Sequence, residues 1–290
     1  MLLLTACYSG KRAQFQQQVE AAKTIQAADQ KTVNDTRQKV DDRLKAEVID
    51  QNIADSINNK IARYAADLDS FNKAVQFVDD KGTASGKDYR RNKTQLDSSI
   101  AFMERYKTGQ NYRLRRFTMI NEALDVIVNQ QHMFDLAAFF GPGKYEIPED
   151  KKSIAQEAFA PLIDSLVKFY NRYADVDKKA TLVILGFADG SGFSPESEIA
   201  TTLVQLLKDP NAPKEKMNQK LSELRAINIG DLMEFSLDQK IPQFKSIKDI
   251  DFVFIELGKG EEYPSKKITD YKTDDERRRV VLLFWNILPK

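Results

Sequence analysis

The pattern of apolar and polar positions changes character about midway along the chain. From Lys11 to about Lys81 there is neither glycine nor proline, and Ala, Gln, Lys and Asp dominate. Such a stretch reads as long helix. In its second part Ile57, Ile61, Tyr64, Leu68, Phe71 and Val75 step by four and three. That spacing lays one apolar stripe along a helix and requires a partner helix to cover it. Phe15, Val19 and Ala22 continue the pattern upstream, but Asp29 to Thr36 is polar and poor in helix formers, and predicts a break or joint. Lys81 to Lys87, rich in Gly and Ser, predicts a turn. Leu96, Ile100 and Met103, then Phe117, Ile120, Leu124 and Val128, predict more helix. Stripes packed on one another give an all-α helical hairpin or small bundle; an extended coiled coil with a second copy is the competing arrangement.

After this the elements shorten. The first of the nine prolines is Pro142, and proline disfavours helix interiors, so the second half is punctuated where the first is not. Pro148-Glu149-Asp150 suits a helix start, with acids at the positive end. Ile154 to Tyr173 is amphipathic, with Ala158, Leu162, Leu166 and Phe169 on one face. Thr181 to Phe187 is a branched apolar run of the kind found in strands buried on both faces. It ends in Ala188-Asp189-Gly190-Ser191-Gly192, a carboxylate between strand and glycine-rich turn. A short helix (Ile199 to Lys208), a turn (Pro210 to Pro213), a helix (Asn218 to about Leu237) and strands at Asp251 to Leu257 and Val280 to Ile287 follow. Alternating strands and helices of this kind predict a layered α+β domain.

Composition narrows the function. The 290 residues accommodate about two domains. A formal charge of +1 argues against nucleic acid as partner, which takes a surplus of Lys and Arg. Cys7 and His132 are the sole cysteine and histidine, so an intrachain disulfide is impossible and a thiolate or imidazole metal cluster is not expected. No nucleophile elbow accompanies His132, which reads as structural. Gly143-Lys144 lacks the other residues of a phosphate loop, and Gly258-Lys259-Gly260 lacks the last glycine of a dinucleotide loop. Arg113, Arg115 and Arg116 read as a solvated helix face. The expectation is a non-catalytic protein without a cofactor.

Four blocks then stand in order: Gly186-Phe187-Ala188-Asp189 with Gly192; Asn218-Gln219-Lys220-Leu221-Ser222-Glu223-Leu224-Arg225-Ala226; Gly258 to Pro264; and Arg277-Arg278-Arg279-Val280. Together they resemble the C-terminal peptidoglycan-binding module of the OmpA-like family, over about His132 to the end. The resemblance implies a two-layer βαβαββ fold, a mixed sheet with helices on one face, its first strand near His132. It also implies a site for the diaminopimelate of a peptidoglycan stem peptide, with Asp189 holding the ammonium and Arg225 the carboxylate. A planar guanidinium suits that grip. Asn218 and Leu221 would shape the wall, and Arg278 or Arg279 would add a second cation. Two departures stand out. Ala188 replaces the usual hydroxyl residue, and an insertion between Gly192 and Asn218 lies beside the pocket. The alternative at this point is that Asp189 caps its turn and Arg225 pairs with it internally.

At the other end, Leu4-Thr5-Ala6-Cys7 resembles the acylation motif of bacterial lipoproteins, with Cys7 the lipidated residue and a polar Ser9-Gly10-Lys11-Arg12 following. A working signal is expected to have further residues upstream. Two or three acyl chains anchor a protein stably, at roughly 0.8 kcal/mol per buried methylene. The reading is therefore of residues 1–11 as signal remnant and tether, 12–130 as helical hairpin/coiled-coil domain and 131–290 as the OmpA-like module. The protein is expected at the periplasmic face of the outer membrane, held by lipidated Cys7 and gripping the wall, with envelope proteins or a second copy as partners of the helical region. The alternative is a structural subunit of an envelope-spanning secretion or motility complex whose module mainly binds protein.

Overall fold

A computed structural model describes residues 3–46, 49, 51–129, 132–135, 140, 144–245, 251–265 and 268–290. The chain divides into two units, Met1–Leu124 and Asp125–Lys290; the sequence reading put the division at 130/131. The side chains of Cys7 and His132, and residues 141–143 around Pro142, lie outside what is described.

The N-terminal unit is all helix. Its elements are α1 (Leu3–Lys45), α2 (Gln51–Gly82), α3 (Gly86–Thr108) and α4 (Gln110–Asn129). Gly109 alone separates α3 from α4, so these two form one interrupted rod. Phe71 stacks on Tyr106 at 4.1 Å, and Tyr64 meets Phe117 at 4.8 Å. Phe15 meets Tyr89 at 5.8 Å and shares a buried cluster with Val75, Val78 and Leu96. These pairings set α2 antiparallel to both α1 and the α3–α4 rod. The result is a small bundle rather than a bare hairpin.

The predicted joint at Asp29 to Thr36 is not there. α1 runs through it without interruption to Lys45, and α2 starts at Gln51. The polar residues have partners inside the bundle. Asp29 is bonded by Tyr106, Gln110 and Arg113, and Thr36 by Asn121. Tertiary hydrogen bonds here override weak local propensity. No helix among the described residues is long and apolar enough to cross a membrane.

The C-terminal unit contains β1 (His132–Asp135), α5 (Glu149–Arg172), β2 (Lys178–Gly186), α6 (Glu198–Leu207), α7 (Lys214–Asp238), β3 (Phe252–Gly258) and β4 (Val280–Pro289). Its sheet has the order β1-β4-β2-β3. β4 is antiparallel to both β1 and β2, and β2 is parallel to β3, so the sheet is mixed. The unit is therefore α+β. α5 covers β4 through Phe169 and Ser165, which meet Trp285 by ring contact at 5.1 Å and by hydrogen bond at 3.2 Å. Pro161 is accommodated inside α5 at an exposed position.

α7 packs almost directly on backbone. A Cβ at Gly186 would lie 2.1 Å from Ser222 O, and one at Gly258 would lie 2.6 Å from both Gln219 O and Glu223 N. Gly260 has φ +52, a left-handed conformation natural to glycine. The glycines of the first and third blocks thus let the helix settle onto the carboxyl ends of β2 and β3, where ligand crevices of layered sheets form.

Lys178 opens β2 and is 2% exposed. Its Nζ donates to Tyr173 O (2.6 Å) and Val176 O (3.2 Å) and sits 3.9 Å from the Tyr170 ring centre. Burial pushes this ammonium down to about 8. The unfolded chain keeps the proton up to about pH 10.4, so stability rises with pH between those values. Comparison with Lys178→Met isolates the effect. The wild-type advantage should grow by roughly 2 kcal/mol from pH 8 to 10 in urea titrations followed by Trp285 fluorescence, and a pH-independent difference would contradict it.

Candidate functional site

Beyond Gly186 the chain keeps bonding as if the strand continued: Phe187 N donates to Val280 O at 2.9 Å and Ala188 N to Gly260 O at 2.7 Å. This carries Asp189 to the end of the sheet, where it is 7% exposed. Asp189 Oδ1 accepts from Ser191 N at 3.1 Å, and Oδ2 accepts from Arg279 Nε at 2.5 Å. Arg279 Nη1 lies 3.5 Å from Glu276.

α7 brings Asn218, Ser222 and Arg225 at steps of four and three, a single helical face. Ser222 Oγ accepts from Gly260 N at 2.8 Å, fixing the helix against the third block. Asn218 Nδ2 donates to Glu261 Oε1 at 2.8 Å and to Ser191 O at 3.2 Å. Arg225 is 5% exposed. Its Nε donates to Lys144 O at 3.1 Å, and its guanidinium carbon is 5.7 Å from the centre of the Phe140 ring. Among the described residues nothing accepts from its two terminal nitrogens. Burial lowers this guanidinium to about 10, partly opposed by Asp189 and reinforced by Arg279. The three charged groups thus share one electrostatic neighbourhood of two cations and one anion. A buried guanidinium whose terminal donors have no acceptor among the described residues favours an incoming anion.

The residues named by the resemblance do not all meet there. Asp189 and Arg225 make no direct bond; Asp189 is paired with Arg279 instead, so the internal partner is a different arginine from the one foreseen. Arg278 is turned to other partners, bonding the carbonyls of Thr273 (2.9 Å), Lys272 (3.4 Å) and Glu261, with Tyr263 against its face. Its guanidinium holds a loop. Leu221 lies in an apolar cluster with Ala200, Leu203 and Met217. The inserted helix α6 therefore sits on the wall that Leu221 was expected to present.

No protein-family model and no curated protein matches the chain.

Two contributors escaped the sequence reading. Glu261 holds Asn218 and lies 3.6 Å from Lys214, which itself donates to Gly190 O at 3.0 Å. Glu261 stands inside the Gly258 to Pro264 block, so its place in the motif is the signal that points to it. The second is Phe140 together with the Lys144 carbonyl, which meet Arg225. A main-chain acceptor leaves no signature in residue type. Together these groups can recognise charge: a carboxylate at Arg225, backed by a fixed acid and a second arginine.

Proposed function

We propose that the C-terminal unit is a non-catalytic, cell-wall-binding module of the OmpA-like type, in a lipoprotein anchored through Cys7 to the periplasmic face of the outer membrane. The observation that carries this reading is Arg225, almost wholly buried yet with its terminal donors unclaimed among the described residues, beside the strand-end Asp189. A site for a zwitterionic stem-peptide group such as diaminopimelate needs these two charges at a fixed spacing. The mixed sheet with α5 and α7 packed on it supports the same reading, as does the close seating of α7 on Gly186 and Gly258. The helical unit then serves as spacer and partner surface.

Incubation with purified peptidoglycan, followed by sedimentation, tests the reading. Wild type is expected in the pellet, with Arg225→Met mostly in the supernatant at unchanged far-UV ellipticity. Losing a buried charged partner typically weakens binding by about 2–5 kcal/mol, ample to empty the pellet. Equal sedimentation of the two proteins counts against the site.

The second reading, a subunit of an envelope-spanning complex whose module binds protein, is favoured by one feature. Helix α6 lies over Leu221 while leaving Leu206 48% exposed. Stable co-purifying envelope proteins together with no wall retention would decide for it.

A further inference from the structure

The site contains a competitor for half of its own ligand. Asp189 is the acid that a ligand ammonium would need, and both of its oxygens are engaged, Oδ2 by Arg279 at 2.5 Å and Oδ1 by Ser191 N. The carboxylate is 9% exposed, so its bonded edges leave little approach for a further donor. Arg279 is itself 31% exposed and held on its other side by Glu276, an exposed residue. The arginine is thus the movable member of the pair and Asp189 the fixed one. Arg225 differs from both, because among the described residues nothing accepts from its terminal nitrogens.

We infer that Arg279 makes the site selective for a carboxylate and gates its response to an adjoining ammonium; this rests on the proposed reading of Asp189 and Arg225 as the wall-binding pair. An incoming ammonium reaches Asp189 only if Arg279 swings off it, because both carboxylate oxygens are already bonded. The free energy of the ammonium–Asp189 contact is then offset by the Asp189–Arg279 contact it replaces. In the wild-type protein the carboxylate end of a ligand supplies the affinity and the ammonium adds little. With Arg279 removed, Asp189 becomes an open acid and the ammonium becomes a recognition element. Arg279 is therefore a specificity-determining residue that acts by occupying Asp189.

Calorimetric titration of the full chain with meso-diaminopimelate and with pimelate, the same carbon chain without its amino groups, separates the two ends of the ligand. Wild type is expected to bind both within about threefold, while Arg279→Ala should prefer diaminopimelate by about tenfold or more, the equivalent of one well-formed charge contact. Arg279→Gln, which retains a donor for Asp189 without the charge, should fall between them and guards against misfolding of the alanine variant. A wild-type protein that already prefers diaminopimelate tenfold, with no change in either variant, overturns the role of Arg279 and leaves the wall-binding reading standing. Failure of both compounds to bind wild type and variants overturns the reading of the site and this inference with it.

Discussion

Replacing Gly186 with alanine is expected to cost the C-terminal unit about 3 kcal/mol or more and to release it from peptidoglycan in the same step. The new Cβ would stand 2.1 Å from Ser222 O and 3.1 Å from Ser222 C. Both are main-chain atoms of α7, so no rotamer change relieves the overlap. Either the helix lifts from the sheet or β2 bends away. Ser222 lies between Asn218 and Arg225 on one helical face, and a lifted helix carries both from their positions against Ser191, Glu261 and Lys144. Stability and binding are coupled here because one helix–sheet contact sets both. Gly192→Ala is the control, since a Cβ there meets nothing within 4 Å, and surface substitutions of that kind stay within about 0.5 kcal/mol. Urea titration through Trp285, the single tryptophan and 1% exposed, reads the unit directly. A Gly186→Ala protein with the wild-type midpoint and wild-type wall retention would show that α7 does not rest on this strand.

Much of this was legible from residue types and much was not, and the division follows physical lines. Apolar spacing located the helices because burial acts through a periodic face, as in Ile57, Ile61, Leu68, Phe71 and Val75, all buried. The glycines at 186, 258 and 260 stood out as members of the first and third blocks. Their larger role, admitting a helix to backbone contact, depends on an element distant in sequence: Ser222 is 36 residues from both Gly186 and Gly258. The candidate site was recognisable as a set of charges, but not as a set of pairs. Asp189 had three arginines to choose from, and the η-turn at Glu276–Arg278 decides the outcome by directing Arg278 to carbonyls and Arg279 to the acid. Adjacent residues of one type differ in function through backbone direction alone. Asp29 shows the opposite error: a polar stretch read as a joint turns out to be cross-braced.

That bracing supplies the second large effect. Asp29 is 5% exposed and takes hydrogen bonds from Tyr106 Oη (3.0 Å), Gln110 Nε2 (3.2 Å) and Arg113 Nη2 (3.3 Å). Arg113 in turn lies 3.5 Å from the Tyr106 ring centre and donates to Tyr106 O at 2.6 Å. Burial, and then the Asp29 charge, raise the Tyr106 phenol well above its ordinary value, so it remains a donor throughout the accessible pH range. Asp29→Ala strands a guanidinium whose side chain is 14% exposed, and breaking a buried pair from one side costs about 3–5 kcal/mol. The expected result is a large drop in the far-UV melting temperature, with the Trp285 transition marking the C-terminal unit separately. Asp29→Leu combined with Arg113→Met should recover most of the loss, because removing both charges removes the desolvation that only their pairing offsets. If the double variant is as unstable as Asp29→Ala, the network's contribution is geometric, fixing how α1 sits on the α3–α4 rod. Recovery assigns it to charge compensation, and leaves the apolar stripe of Phe15, Val19 and Ala22 sufficient to set the register of α1.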